Sequence, residues 1–250
     1  MDATVESAQT AIETNRLTRM FGARIAVDRL SLRVPPGVVY GFLGPNGSGK
    51  TTTIRMLLGL MRPTSGSVRL FGDTFARERR ELLEEIGALV GEPSLYPHLT
   101  GRENLEIIRR LRNRSKQDVD TVLQQFEFAS EARNLVVTYS SGMRQTLGLA
   151  AACLGQPRLL ILDEPANGLD PGATRKLRAL LRGQVERHGV TVFVSSHVLG
   201  EVEQLADWVG IIDHGHLLFQ GTLTSLRDTR PGSLEDIFLE LVASNERASV

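Results

Sequence analysis

The chain has 250 residues, of which 41% are hydrophobic and 23% charged, so it is long enough for one large domain with a subdomain. Its 29 lysine and arginine residues balance 29 aspartate and glutamate residues, which argues against a protein that coats nucleic acid, because such proteins carry a basic excess. The longest weakly apolar run, Leu147 to Gly155, falls far short of the about 20 residues that cross a bilayer, so we expect no membrane span.

The N-terminus and the cysteine count point to the compartment. The first fifteen residues contain no basic residue and therefore do not form a secretory signal. Cys153 is the only cysteine of the sequence, which excludes an internal disulfide, so we expect a cytosolic protein. Residues 1–11 are polar and without periodicity, and we expect them to form a flexible arm.

The following segments alternate strand and helix patterns. Two strand-like stretches extend from Ile12 to Val34 with a break at Phe21-Gly22, and a short apolar strand is expected from Val38 to Leu43. A helix follows Gly49 and ends before Pro63, because proline cannot continue a helix. Further along we expect a strand at Ser67–Phe71, a helix at 78–85 and a strand at Ile86–Val90.

The segment from about 93 to 157 changes character and is mostly helical. Thr100 with Glu103, and Ser115 with Asp118, have the spacing of capping boxes that begin helices. This segment predicts a helical subdomain inserted into an α/β core.

The α/β pattern resumes at Leu159, where a buried strand is expected up to Leu162. Asp170 is expected to cap a helix that has Pro171 at its first position. Strands that alternate with helices imply a largely parallel sheet. The remaining expected elements are a strand at Val190–Ser195, a hairpin at Trp208–Phe219 and a last helix from Ser233.

The strongest chemical signal is a glycine-rich loop that fits the pattern G-x-x-x-x-G-K-[ST]. Glycines allow such a loop to turn its backbone N–H groups toward phosphate oxygens, and the helix that follows directs its positive end at the same anion. Lys50 is expected to reach the terminal phosphates, and the Thr51 hydroxyl to bind Mg²⁺. The expected phosphate-binding residues are Gly44, Pro45, Asn46, Gly47, Ser48, Gly49, Lys50, Thr51 and Thr52.

A second signal is the apolar strand that ends in Asp163-Glu164. The carboxyl end of a parallel strand is where α/β proteins bind ligands, so Asp163 suits the Mg²⁺ shell. Glu164 is placed to take a proton from an attacking water. By itself the pair also fits a strand that ends in two solvated acids. Together with the phosphate loop it indicates nucleoside triphosphate hydrolysis, and the Asn-Lys-x-Asp guanine reader of GTPases does not occur.

With these motifs in this order, residues 12–242 resemble the nucleotide-binding subunit of an ABC transporter. The resemblance implies an α/β P-loop NTPase fold of the ABC type, with a mainly parallel core sheet, an N-terminal antiparallel β part and the helical insertion at 93–157. It places Phe21 against adenine, and His197 at the γ-phosphate as a catalytic residue beside Glu164 and Lys50. Residues 243–250 are then a tail.

The resemblance also implies contacts between two subunits. Tyr139 to Met143 occupies the position of the family signature, usually Leu-Ser-Gly-Gly-Gln, of which only Ser140 and Gly142 match. Asn167 to Asp170 resembles the loop that crosses the subunit interface. In the family ATP lies between the phosphate loop of one subunit and the signature of another, so the contacts implied there are Ser140, Ser141, Gly142, Met143 and Asp170.

One position departs from the family pattern. The glutamine that usually follows the strand at 86–90 is replaced by Glu92. A carboxylate still binds Mg²⁺ through oxygen, but it adds negative charge near the γ-phosphate. We expect Glu92 to take the role of the glutamine, so that the Mg²⁺ ligands are Thr51, Glu92 and Asp163.

The resemblance implies a function as well. It indicates an ATP-hydrolysing subunit that uses ATP and Mg²⁺ to drive transport through a separate permease, dimerises with itself or a sister subunit, and sits on the inner face of the cell membrane. The segments around Glu92–Leu105, Tyr139–Ala150 and Ser233–Val242 look like bacterial ABC-2-type exporters of the antibiotic or lantibiotic resistance kind. Because little chain follows for the regulatory domain of importers, export is favoured. The alternative is a non-transport ABC ATPase acting on ribosomes or DNA, although the single phosphate loop and the absence of sustained heptads disfavour it.

Overall fold

The computed structural model describes residues 10–229 and 232–248. Residues 1–9 of the expected arm and residues 249–250 of the expected tail lie outside this part. The fold has a small antiparallel sheet, a larger mostly parallel sheet and a helical insertion. The expected α/β class, with an N-terminal antiparallel part, is confirmed.

The antiparallel sheet is built on β1 (Ile12–Phe21). It pairs with β2 (Arg24–Leu30), β3 (Arg33–Val34) and β5 (Ser65–Leu70), all antiparallel. The expected break after Phe21 is a turn in which Gly22 has a φ of 58°.

The expected flexible arm, residues 1–11, is wrong at Ala11. This residue is fully buried, its N–H donates to Val34 O at 2.9 Å, and its carbonyl accepts from Phe71 N at 3.0 Å. Ala11 is therefore held by hydrogen bonds just before β1 begins and is not part of a free arm. Sequence alone did not show this, because an alanine that follows polar residues carries no periodicity.

The larger sheet has the strand order β10-β9-β4-β8-β7-β6. All neighbours are parallel except the hairpin of the last two strands. The middle strands β4, β7 and β8 are buried throughout, as their continuous apolar sequences predict for a sheet covered on both faces. The strands are β4 (Val39–Leu43), β6 (Ile86–Leu89), β7 (Leu159–Asp163), β8 (Thr191–Ser196), β9 (Trp208–Asp213) and β10 (His216–Thr222).

Helices cover both faces of this sheet and form the insertion. Those outside the insertion are α1 (Lys50–Leu57), α2 (Phe75–Glu84), α6 (Pro171–His188), α7 (Leu199–Glu203), α8 (Leu223–Thr229) and α9 (Leu234–Ala248). Within the insertion lie α3 (Gly101–Leu111), α4 (Lys116–Gln125) and α5 (Ser141–Cys153), with short 3-10 turns at Glu131–Arg133 and Val136–Thr138. The helix α9 continues beyond residue 242, where the expected tail begins.

The insertion is locally encoded at its start. Both halves of the Thr100–Glu103 capping box are formed, with Glu103 N donating to Thr100 Oγ1 at 3.2 Å and Thr100 N to Glu103 Oε2 at 2.8 Å. Helix α5 then joins the insertion to the sheet by packing on the edge strand β6. Gly87 allows this approach, because a Cβ there would lie 2.0 Å from Ala152 O. In the part of the chain that the structure describes, no helix has both the length and the apolar character needed to cross a membrane.

Candidate active site

The glycine-rich loop connects the buried strand β4 to α1, as predicted. Gly47 and Gly49 have φ values of 80° and 111°, which side chains rarely tolerate. Close packing adds a second constraint at Gly49, since a Cβ there would lie 2.6 Å from Ala26 O. The loop is therefore seated on β2, and its backbone N–H groups lead directly into the N-terminus of α1, which suits an anion.

Ser48 packs against Gly44 inside the loop, where a Cβ on Gly44 would lie 2.5 Å from its hydroxyl. That hydroxyl is buried, has no hydrogen-bond partner among the described residues and does not line the cavity beside the loop. A buried hydroxyl without a partner is costly, and a bound water would satisfy it. The fit of the loop to the triphosphate that the sequence predicted therefore depends on its glycines, its backbone N–H groups and Lys50.

Lys50 is buried at the base of the loop. Its ammonium donates to Gly44 O at 2.7 Å and to Pro45 O at 3.1 Å, and lies 3.5 Å from Glu164 Oε1. Burial lowers the pKa of Lys50, while the carboxylates of Glu164 and Asp163 oppose that shift. The ammonium therefore stands between the loop and the expected catalytic carboxylate.

Thr51 and Asp163 form the nearest pair of oxygen ligands for a hard cation. Thr51 Oγ1 donates to Asp163 Oδ2 at 2.8 Å, and Asp163 Oδ1 accepts from Ser195 Oγ at 2.6 Å. A hydroxyl and a carboxylate beside a phosphate loop suit Mg²⁺, which takes few protein ligands and completes its shell with phosphate oxygens and water. Among the described residues, no group of three or more His, Cys, Asp or Glu side chains could hold a metal by themselves.

Glu164 is held by three neighbours. Its Oε2 accepts from Asn167 Nδ2 at 2.6 Å and lies 2.9 Å from His197 Nδ1, while Lys50 faces Oε1. Burial raises the pKa of Glu164, but the hydrogen bond from Asn167 and the positive neighbours Lys50 and His197 together outweigh it, so the pKa lies below its ordinary value. Glu164 is therefore an ionised carboxylate at neutral pH. Since a carboxylate only accepts, Nδ1 of His197 carries a hydrogen in this arrangement.

Two cavities open from this cluster. One is lined by Phe21 and Arg24 together with the phosphate loop, and Phe21 is 45% exposed. The other is lined by Glu92, Ser141 and Arg144, with Asp163 and Gly168. Thr51 and Glu164 line both cavities. The structure thus gathers the expected catalytic and metal-binding residues at one edge of the sheet.

The signature residues are arranged differently. Ser140 caps α5, its Oγ accepting from Met143 N at 3.2 Å, and Ser140 and Ser141 are exposed. Asp170 caps α6, with Oδ1 accepting from Gly172 N at 2.8 Å and Ala173 N at 2.9 Å. Of the described residues that line the phosphate-loop cavity, none belongs to this group. Their contact with nucleotide stays a prediction.

Sequence reasoning missed Ser195 and Gln145, and it missed the contact of Asn167 with Glu164, since it expected Asn167 only in the interface loop. Ser195 joins Asp163 to the backbone of Glu164, donating to the first at 2.6 Å and accepting from the second at 3.0 Å. Asn167 holds Glu164, and Gln145 ties α5 to the site by donating to Pro165 O at 2.9 Å. The sequence could have predicted the position of Ser195. Ser195 pairs with Asp163 on the neighbouring parallel strand, and the carboxyl ends of parallel strands meet at one edge of a sheet.

Comparison with known proteins gives the same picture. The family described as "ABC transporter" matches residues 27–167. A bacitracin transport ATP-binding protein of Bacillus licheniformis is 48% identical over 210 residues, which are 84% of this chain and 69% of that protein. A lantibiotic transport ATP-binding protein of Streptococcus pyogenes is 34% identical over 209 residues, covering 84% of this chain and 90% of that protein. A solved ATP-binding subunit of an ABC transporter superposes with a TM-score of 0.85 at 28% identity, over 93% of this chain and 99% of that one.

Proposed function

The chain belongs to the ABC transporter family of ATP-binding subunits, and from that premise we propose how its residues hydrolyse ATP and which way it drives transport. It is an ATPase that powers transport through a membrane permease, and the comparisons lend no support to the alternative of a ribosome or DNA ATPase. We propose that the direction is export, on the relatives' descriptions as bacitracin and lantibiotic transport proteins. The cargo is chosen by the permease.

The observation that carries the proposed mechanism is the cluster around Glu164. Its ionised carboxylate is aimed between Lys50 and His197 and takes the proton of the attacking water. Lys50 and the loop N–H groups stabilise the charge of the transferred phosphoryl group. His197 fixes Glu164 through Nδ1–H, and its Nε2 would have to carry a hydrogen as well to donate to the γ-phosphate.

Mg²⁺ is proposed as the cofactor of ATP. Thr51 and Asp163 would hold it, and Glu92 joins them from the other side of the second cavity. When bound, the ion neutralises charge on the phosphates. Phe21 is proposed to stack on adenine.

A second copy is proposed to complete the site. Ser140 Oγ accepts from Met143 N, so the N–H groups of Ser141 and Gly142 are the ones that the exposed N-terminus of α5 offers to phosphate. Ser141 lines the second cavity together with Thr51, but no described residue from Ser140 to Met143 lines the phosphate-loop cavity. We propose that ATP is held between the loop of one subunit and this N-terminus of another, with Asp170 near the interface. The ATPase domain is proposed to span residues 12–242 with its helical part at 93–157.

The permease is proposed to dock at an apolar groove beside the edge strand β6. Leu60 and Leu111 are 66% and 81% exposed and line the groove with Leu83, Ile86 and Ala88. A contiguous apolar surface of this kind marks an interaction site. Ala88 of the groove belongs to β6, and Glu92 follows soon after the end of that strand. The groove therefore lies near the proposed metal site. Docking there places the subunit on the inner face of the membrane.

The test is co-purification from native membranes. The chain is expected to capture a membrane permease, and Leu60→Asp or Leu111→Asp to reduce this capture at least tenfold while leaving ATP binding unchanged. Leu239→Asp, at a leucine of α9 that is also 58% exposed, is the matched control and should capture normally. Capture of ribosomes or DNA in place of a membrane protein would refute the proposal.

A further inference from the structure

The aromatic ring of Phe21 is covered on one face by a cation. The guanidinium carbon of Arg19 lies 4.6 Å from the ring centroid, within the range of a cation–π contact. Residues 19 and 21 both belong to β1, and alternate residues of a strand share a face, so the backbone itself brings the two side chains together.

Arg19 is anchored independently of Phe21. Its Nη1 donates to Arg62 O at 2.9 Å, in the segment that follows α1. The same segment is tied to β1 at Thr64, whose N–H donates to Thr18 O at 2.8 Å and whose hydroxyl accepts from Met20 N at 3.0 Å. Arg19 Nε is buried without a hydrogen-bond partner among the described residues, so besides Arg62 O it is the ring of Phe21 that contacts this side chain there. The guanidinium of Arg19 is thus fixed to the segment that follows the phosphate-loop helix, and the ring of Phe21 packs against it.

The cavity beside the phosphate loop is lined by Phe21 and Arg24, whereas Arg19 is not among its described lining residues. Because Arg19 covers one face of the ring, a ligand in this cavity would stack on the other face. We infer that Arg19 is a positioning residue for base recognition, which holds the Phe21 ring so that its free face receives the adenine of ATP. This inference rests on the proposed stacking of adenine on Phe21.

Physical reasons connect the contact to affinity. A half-exposed phenylalanine at the end of a strand otherwise rotates among several side-chain conformations, and a ligand that stacks on it must bear the cost of ordering it. The cation holds the ring in advance by electrostatic attraction to its π-face. Arg19 therefore strengthens binding of the base without touching the nucleotide.

The test separates the base from the phosphates. Dissociation constants of Mg-ATP and of magnesium tripolyphosphate are measured by calorimetry on the full chain and on Arg19→Gln. We expect the ATP constant to rise about three- to fivefold, the typical worth of such a contact, and the tripolyphosphate constant to stay unchanged. The ratio of the two constants does not depend on the fraction of folded protein. Arg29→Gln is the matched control, since it removes an exposed cation of β2 that pairs with Asp28, and its ratio should equal that of the wild type.

A double substitution shows whether Arg19 acts through the ring. Phe21→Leu is expected to weaken ATP and not tripolyphosphate, and Arg19→Gln should then add nothing further. Equal weakening of both ligands by Arg19→Gln, or an undiminished effect in the Phe21→Leu background, overturns the inference alone. No change in ATP affinity for Phe21→Leu overturns the proposed adenine contact, and this inference with it.

Discussion

At the scale of single residues, Glu164 shows how neighbours set a catalytic carboxylate. It has a φ of 49°, an uncommon backbone conformation for a residue with a side chain. Its N–H donates to Ser195 Oγ at 3.0 Å, and Asn167 and His197 contact its carboxylate, so both its backbone and its side chain are fixed. The orientation of the proposed base is thus determined by residues of two segments, the loop after β7 and the end of β8.

Removing Asn167 is expected to move the acid limb of the ATPase profile. The hydrogen bond from Asn167 lowers the pKa of Glu164, so Asn167→Ala raises that pKa toward its ordinary value. Glu164 then becomes protonated at a higher pH, and activity is lost earlier on acidification. Rates measured from pH 4 to 8 check this, with Asn15→Ala on the exposed side of β1 as control. An unchanged acid limb would contradict the role assigned to Asn167.

Glu92 is expected to set the Mg²⁺ requirement. Glu92→Gln removes a negative charge from the cavity that also holds Thr51 and Asp163, and it retains an oxygen ligand. We expect Glu92→Gln to hydrolyse ATP at least as fast as the wild type. Glu92→Ala removes the ligand and should lower the rate about tenfold or shift the Mg²⁺ titration to higher concentration. ATPase rates against Mg²⁺ concentration measure both, and identical curves for wild type and Glu92→Ala would exclude Glu92 from the metal shell.

At the scale of elements, the contact between α5 and β6 joins the signature helix to the edge strand. Gly87 faces Ala152 O there, and Gly148 of α5 faces Pro93, where a Cβ would lie 2.6 Å from Pro93 Cγ. Pro93 directly follows Glu92 in the sequence, so α5 contacts the segment that carries Glu92.

Gly87→Ala is expected to destabilise the fold. The added methyl meets backbone at Ala152, which cannot move as a side-chain end does, so the free energy of unfolding should fall by about 1–3 kcal/mol. For a domain of this size that lowers the melting temperature by about 2–4 °C per kcal/mol. Gly200→Ala in α7, where a Cβ has nothing within 4 Å, should keep or raise the melting temperature. Equal effects of the two substitutions would contradict the close approach.

Locally encoded elements were predictable from sequence and long-range contacts were not. The phosphate loop, the capping box of Thr100 and the cap at Asp170 depend on neighbours within a few residues, and all three formed as expected. The roles of Ser195 and Arg19 depend on which strands and loops meet in space. The burial and hydrogen bonding of Ala11 depend on Val34, more than twenty residues away along the chain. Contact partners of this kind are set by the assembled sheets and leave no period in the sequence.

At the scale of the whole molecule, the nucleotide cavities and the apolar groove proposed for the permease lie along one edge of the large sheet. The two cavities share Thr51 and Glu164, and the apolar groove begins on the same edge strand that leads to Glu92. Net charge is zero over the whole sequence, so the anion is attracted by local groups and needs no overall positive field. The chain therefore presents a nucleotide site, an apolar groove that we propose for the permease, and the exposed N-terminus of the signature helix on one framework.

The central claim is that Glu164 drives hydrolysis of an ATP held between two copies of this chain. The most direct measurement is light scattering after size-exclusion chromatography of Glu164→Gln, with and without Mg-ATP, alongside its ATPase rate. We predict that the variant still binds ATP and doubles its mass only with Mg-ATP. Loss of a general base typically costs at least about 100-fold in rate, so we expect the variant to lose about 99% of its turnover or more. A variant that keeps its turnover, or that stays monomeric with ATP bound, would contradict the account.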